Sequence, residues 1–391
     1  MLVRDSDVTL LLEGKAEVVE GYAEVFGCPV KEIEAKNLTP LYLREGAVKI
    51  EGKYIPVKGS TIPESWEKVV EEIKSSGWRK ILLFGETDTG KSSFAVWLVN
   101  KLDGKTCVID ADIGQADIGH PAAMGIGIAE KCASLSEIPM LDGFFVGSTS
   151  PMGREARCLR GFAKLAAVAK EINADWIIVD TTGWTRGRKA RNYKLAKIEI
   201  FRPDVIVCLG EIPYYLEEFN TITVETFVPK KRSRELRGAI RSERYARWLE
   251  GANVVSLSVK DVKLRNTTLF KGRRVSDDFI REILDTVLFA ETGPDFLNVC
   301  VLEEGELGVE ALKALREVYG VEDVSIFTPK SFEDLVVGVY SDNKYEGLGL
   351  LKRIDFDSGK IDILTRAKSI RAIEFGEFRL EKGREVLARV P

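Results

Sequence analysis

Apolar positions in the first sixty residues come in short runs. Residues 8–12, 16–19, 41–43, 48–50 and 54–57 are separated by polar stretches and punctuated by Gly14, Gly21, Gly46 and Gly52. Short runs with regular turn signals predict a small all-β module over residues 1–62. Pro63 then opens a helical pattern, with Trp66, Val69, Val70 and Ile73 on one face and Gly77 at its end. From Trp78 to about Leu257 the rhythm changes to continuous apolar runs, 81–84, 107–109, 176–179 and 205–209, spaced by helical stretches. Strands apolar on both faces and alternating with helices predict a parallel α/β sheet with right-handed crossovers, here in a core of residues 63–260. Beyond residue 260 that rhythm lapses. Residues 335–340, 348–354, 360–364 and 373–380 read as strands and turns of a C-terminal, mainly β domain, 261–391.

Ligands of parallel α/β sheets bind at the carboxyl ends of the strands. The first such end carries Gly85-Glu86-Thr87-Asp88-Thr89-Gly90-Lys91-Ser92, which matches the phosphate-binding pattern GxxxxGK[ST] between a strand and a helix. Glycines let this loop curl its N–H groups around a polyphosphate, and the helix adds its positive end. The expected nucleotide-binding set is therefore Gly85, Glu86, Thr87, Asp88, Thr89, Gly90, Lys91, Ser92 and Ser93, with Lys91 on the β- and γ-phosphates and Ser92 on Mg²⁺. The next strand end gives Asp110-Ala111-Asp112-Ile113-Gly114-Gln115, two carboxylates able to hold Mg²⁺ through water or to accept a proton. With Ser92, Asp110 and Asp112 make up the candidate metal set.

A third end carries Asp180-Thr181-Thr182-Gly183-Trp184, which reads either as the DxxG of a GTPase or as TxGW, with an aromatic ring bordering a substrate. A guanine clamp of NKxD type should follow a later sheet strand in a GTPase. The nearest string, Asn343-Lys344-Tyr345-Glu346, ends in Glu and lies in the tail. A basic segment, Lys230-Lys231-Arg232-Ser233-Arg234-Glu235-Leu236-Arg237, continues to Arg241, Arg244 and Arg247. It reads as a solvated helix face or, beside a P-loop, as charge neutralisation for a transferring phosphoryl group. Arg154, Arg157 and Arg160 are spaced to share one helix face, suited to phosphodiester contacts or to plain surface.

Composition narrows this further. Charged residues are 30% of the 391, yet the formal net charge is only −4, so a polyanion site must be a local patch. No apolar run approaches the roughly 18 residues of a membrane span, and the N-terminus lacks a signal-peptide plan, which predicts a cytoplasmic or nucleoplasmic protein without membrane partners. Cysteines at 28, 107, 132, 158, 208 and 300 show no CxxC pair, and His120 is the only histidine, which argues against zinc and against His-based acid–base catalysis. Gln115 is the only glutamine beside abundant Glu, Lys and Arg, the bias of heat-adapted proteins.

Together these motifs resemble the polynucleotide 5′-hydroxyl kinase family, which includes the kinase subunit of the eukaryotic pre-mRNA cleavage factor, nucleolar pre-rRNA-processing kinases and archaeal relatives. The family's GxTDxGKS, DxDxGQ and TxGW motifs are matched at 85–92, 110–115 and 181–184, and its arginine lid from Arg232 through Arg237 and Arg241 to Glu243-Arg244 and Gly251. Gly21-Tyr22-Ala23-Glu24-Val25-Phe26-Gly27 is similar to the family's N-terminal signature. The resemblance implies a P-loop NTPase kinase core closed by an arginine lid, flanked by the two β modules. It also implies transfer of the γ-phosphate of ATP or another NTP to the 5′-OH of RNA or DNA, with Mg²⁺, in RNA processing or repair alongside protein partners. By position, Asp112 is the implied general base, Lys91 serves the phosphates, and Arg232 and Arg237 close over them. The implied acceptor set is Gln115, Thr149, Arg154, Thr181, Gly183, Trp184 and Arg241, although Thr149-Ser150-Pro151-Met152-Gly153-Arg154 stands where the cleavage-factor member has a TTPGTN-like segment. A regulatory P-loop NTPase and a non-catalytic nucleotide-binding scaffold are the alternatives.

Overall fold

The computed structural model describes residues 1–226, 232–276, 278–284, 286–303, 308–342 and 344–391, without the side chains of 36 and 37. Lys230 and Lys231 of the basic segment, and Asn343, lie outside the described residues. The chain forms two compact units, one of residues 1–119, 124–141 and 155–232, the other of 120–123, 142–154 and 233–391. These bounds differ from the linear ones at 62/63 and 260/261.

In the first unit the N-terminal segment is β, but not as a series of short strands. It is built from two long bent strands, β1 (Leu2–Val25) and β3 (Glu32–Lys58), with the two-residue β2 (Cys28–Pro29) at one edge. The glycines that suggested turns are corners within these strands: Gly14 faces Gly52, and Gly21 faces Gly46. All four have positive φ, and a Cβ on Gly21 would lie 1.9 Å from the Glu45 carbonyl oxygen, so only glycine allows the bent strands to cross there.

The core follows: α1 (Glu64–Ser76), β4 (Lys80–Phe84), α2 (Lys91–Lys101), β5 (Thr106–Ala111), β6 (Ala123–Ala129), β7 (Met140–Phe145), α3 (Glu155–Glu171), β8 (Trp176–Thr181), α4 (Arg188–Phe201), β9 (Val205–Leu209) and β10 (Thr221–Val224). Within this unit the strands run in the order β10-β9-β4-β8-β5-β6. The first five are mutually parallel, as the apolar runs predict, whereas β6 is antiparallel to β5. Helix α2 is buried on nearly every side, its Phe94 meeting Trp66 edge-on at 4.9 Å between ring centroids. Asn100 of α2 donates to the carbonyls of Phe26 and Cys132, tying the N-terminal strands to the core.

The second unit contains α5 (Arg234–Leu249), β11 (Asn253–Ser258), β12 (Lys263–Arg265), β13 (Arg273–Arg274), α6 (Asp278–Ile283), β14 (Val287–Thr292), β15 (Phe296–Val301), α7 (Val309–Tyr319), β16 (Asp323–Phe327), β17 (Leu335–Ser341), β18 (Lys344–Asp355), β19 (Lys360–Thr365), β20 (Ala372–Glu381) and β21 (Arg384–Leu387). Strand β11, which the sequence placed at the end of the α/β core, pairs instead with β19 in a sheet ordered β11-β19-β18-β17-β20-β12, with β21 on β20. A four-stranded sheet, β13-β14-β15-β16, contains a parallel pair with α7 between its strands in the chain, a small α/β element that the lapse of rhythm concealed. All six cysteines are free, and five are buried.

Candidate active site

Three adjacent parallel strands, β4, β8 and β5, deliver the candidate residues at their carboxyl ends. The P-loop leaves β4 after Phe84 and enters α2 through Gly90, whose φ of 91° an ordinary side chain rarely adopts. The first turn of α2 carries no acidic residue, so its positive end is left for an anion. Lys91 is buried. Its ammonium donates to the Glu86 carbonyl at 2.6 Å, and Thr89 Oγ1 donates to the same oxygen at 2.9 Å, which curls the loop on itself. Burial pushes the Lys91 pKa down, against the pull of the Asp180 and Asp112 charges.

Ser92 Oγ donates to Asp180 Oδ2 at 2.5 Å. Asp180 is 2% exposed, and its other oxygen, Oδ1, has no hydrogen-bond partner among the described residues. Burial raises its pKa to about 6, with the Lys91 charge opposing. A hydroxyl and a carboxylate linked in this way, with one carboxylate oxygen unpartnered, fit an octahedral cation that takes one or two protein oxygens and keeps its waters. Asp180 lies outside the set Ser92, Asp110 and Asp112 that the sequence suggests for a cation. Its one available signal was its place at the end of a strand following the P-loop.

The two carboxylates after β5 differ. Asp110 is buried and accepts the N–H groups of Asp112 at 3.1 Å, Asp117 at 2.5 Å and Ile118 at 2.9 Å, so both its oxygens organise the loop. Burial, then the Asp180 and Asp117 charges, hold its pKa well above the carboxylate range. Asp112 is half-buried, and its Oδ1 accepts from Gly114 at 3.0 Å and Gln115 at 3.2 Å. The Gln115 amide turns back to the Gly114 carbonyl.

Gly183 lies against the P-loop: a Cβ there would stand 2.4 Å from both N and Oγ1 of Thr87. Thr181 is buried, and its hydroxyl donates to the Leu83 carbonyl at 2.7 Å while accepting from Lys194, so it acts within the fold. The half-buried Trp184 ring stands 5.8 Å from that of Tyr193. Arg186 pairs with Glu86 of the P-loop at 2.7 Å, and the backbone N–H of Arg232 donates to Asp88 at 3.1 Å, which ties this end of the basic segment to the loop.

The remaining candidates belong to the second unit. Arg237 and Arg241 lie on α5, capped by Ser233, whose side chain accepts from the Leu236 N–H. Arg241 makes a bidentate pair with Glu385 at 2.7 and 2.9 Å, and Tyr245 and Thr149 donate to the same carboxylate. Arg154 pairs with Glu377. It precedes α3, so it does not share a helix face with Arg157 and Arg160. His120 is fully buried between the Tyr345 hydroxyl and the Pro121 carbonyl, and burial pushes its pKa down to about 4.

A family model described as the mRNA cleavage and polyadenylation factor CLP1 P-loop matches residues 85–251. A polyribonucleotide 5′-hydroxyl-kinase of Pyrococcus furiosus is 30% identical over 347 residues, 83% of this chain and 95% of its own. One from Methanocaldococcus jannaschii is 31% identical over 349 residues, 83% of this chain and 94% of its own. Among solved structures, Clp1p in its complex with Pcf11p aligns with a TM-score of 0.67 at 12% identity, over 97% of each chain, a likeness of fold.

Proposed function

Since the chain belongs to the polyribonucleotide 5′-hydroxyl-kinase family, we propose that it transfers the γ-phosphate of ATP, or another NTP, to the 5′-OH end of an RNA strand. The carrying observation is that three neighbouring strands bring the Lys91–Ser92 turn, Asp180 and Asp112 to one end of one sheet.

In this mechanism the P-loop amides, the α2 N-terminus and Lys91 hold the β- and γ-phosphates and offset the charge that develops on them. The acceptor oxygen bonds to the γ-phosphorus, the bond from that phosphorus to the β,γ-bridging oxygen breaks, and the hydroxyl proton passes to the Asp112 carboxylate. A 5′-phosphate and a nucleoside diphosphate leave. Asp112 suits the base role because it is half-buried and fixed by two backbone donors, whereas Asp110 has both oxygens engaged. Ser92 and Asp180 are the residues that would hold Mg²⁺, which when bound supplies positive charge to the phosphates. Trp184 offers a ring for the terminal nucleotide, and Arg232, its backbone tied to Asp88, starts the lid. A protein partner in RNA processing fits the same reading, because Clp1p, whose fold this chain shares, is seen with Pcf11p.

The test is transfer of labelled γ-phosphate to matched 5′-OH RNA and DNA oligonucleotides. Label on the RNA 5′ end supports the assignment. Nucleotide binding without transfer would leave the scaffold reading, and hydrolysis unaffected by any acceptor would favour a regulatory NTPase.

A further inference from the structure

Helix α4 buries two lysines where an apolar residue would cost less. Lys194 is 1% exposed and Lys197 is fully buried, and each lacks an acidic side chain within ion-pair distance among the described residues. Burying an ammonium without a directly bonded carboxylate is expensive. One helical turn apart, the two side chains reach different strand ends. Lys194 donates to Thr181 Oγ1 at 2.8 Å and to the Thr182 carbonyl, and its ammonium sits 5.3 Å from the centre of the Phe84 ring, directly before the P-loop. Thr181 passes the contact on to Leu83 of β4. Lys197 points at the Ala111 carbonyl, 3.4 Å away between Asp110 and Asp112, and lies over the rings of Tyr193 and Phe162 at 4.6 and 5.1 Å.

We propose that Lys194 and Lys197 are positioning residues for phosphoryl transfer: from one face of α4 they fix the end of β8, which carries Asp180, and the end of β5, which leads into Asp112, before substrates arrive. The proposal rests on the kinase reading of this site. Its physical basis is that each ammonium is buried and donates only to backbone carbonyls or a threonine hydroxyl at strand ends next to Asp180 and Asp112. Burial lowers the Lys197 pKa to about 8, with Cys158 and then Asp112, Asp110 and Asp180 opposing.

The experiment replaces each lysine in the full chain, Lys194→Met and Lys197→Met, which keeps the length and removes the donor. We expect kcat for a 5′-OH oligoribonucleotide to fall about 10–100-fold, the range for removing groups that orient a site's ligands. The KM for the nucleotide should stay within about twofold, since the P-loop contacts are not removed. Thermal stability should hold or rise, because a buried ammonium is lost. Amide exchange should quicken at residues 110–118 and 181–184 and nowhere else. Thr181→Val combined with Lys194→Met should cost less than the product of the two single losses, since both break one contact. An unchanged kcat with unchanged exchange overturns the proposal. So does a fall in kcat accompanied by lower stability and weaker nucleotide binding, the mark of a plain packing role. Should Lys194→Met fail to fold, Lys197→Met carries the same readouts. Amide exchange does not depend on turnover, so a wild-type chain inert toward every acceptor would refute the kinase reading, while the positioning role is still decided by exchange.

Discussion

Gly183→Ala adds one methyl group where the loop after β8 rests on the P-loop. The new carbon would stand 2.4 Å from the Thr87 nitrogen and Oγ1 and 2.5 Å from its Cα. Two of these three atoms are backbone, so no side-chain rotation relieves the clash. Restoring an ordinary contact of 3.4 Å requires the two loops to separate by about 1 Å. Overpacking of this kind costs about 1–3 kcal/mol, or roughly 2–10 °C in Tm for a unit of this size. Misplacement of about 1 Å in a catalytic constellation is worth roughly 10²-fold in rate, so turnover should suffer far more than stability. The assay is transfer of labelled phosphate under saturating nucleotide, with Tm by calorimetry and nucleotide affinity by a fluorescent analogue. We expect kcat down by about 10²-fold in a folded protein. A kcat within threefold of wild type would refute the claim that these loops must touch for the reaction.

Asp112→Asn should lower kcat by about 10²–10⁴-fold with nucleotide affinity largely kept, and a smaller loss than that of Asp110→Asn would reverse the roles of the two carboxylates. Asp110→Asn should chiefly lower Tm, since its carboxylate gathers three backbone N–H groups. Arg241→Ala should destabilise by about 1.5–3 kcal/mol, because Arg241 holds Glu385 bidentately; a raised acceptor KM with unchanged Tm would show instead that it serves the acceptor alone. His120 stays neutral in the fold until about pH 4, whereas its unfolded counterpart takes a proton near 6.5, so its contribution is fully present above pH 6.5 and is lost as pH falls to 4. As the only histidine it gives a single imidazole resonance, which should not move between pH 8 and about 5.5; a midpoint near 6.5 would show the ring is not buried.

The P-loop was legible in the chain because its chemistry is written in eight consecutive residues bracketed by a strand and a helix. The bond from Ser92 to Asp180 was not, because it spans 88 positions and exists only once β8 sits beside β4. Glycines at 14, 21, 46 and 52 mark places of positive φ in either reading, and composition does not say whether the chain reverses there or bends and continues. Strand β11 follows α5 as a core strand would, yet its partner lies about a hundred residues later. Lys194 and Lys197 escaped notice because periodicity assigns lysine to the wet side of a helix. The pairing of Arg241 with Glu385 was not legible because the two lie 144 residues apart.

The crossing of the bent N-terminal strands has a consequence for solubility. Residues 8–12 are a run of high β-propensity with no net charge, the kind of segment that seeds intermolecular pairing when its edge is open. Here each of them is flanked by a paired strand on both sides, Val8 by Leu43 and Lys58, Leu10 by Leu41 and Pro56, Leu12 by Thr39 and Tyr54. No second chain can dock on that run while both neighbours are in place. The four corner glycines, by letting one strand serve as both flanks, therefore guard the segment against aggregation, and opening any corner would expose it.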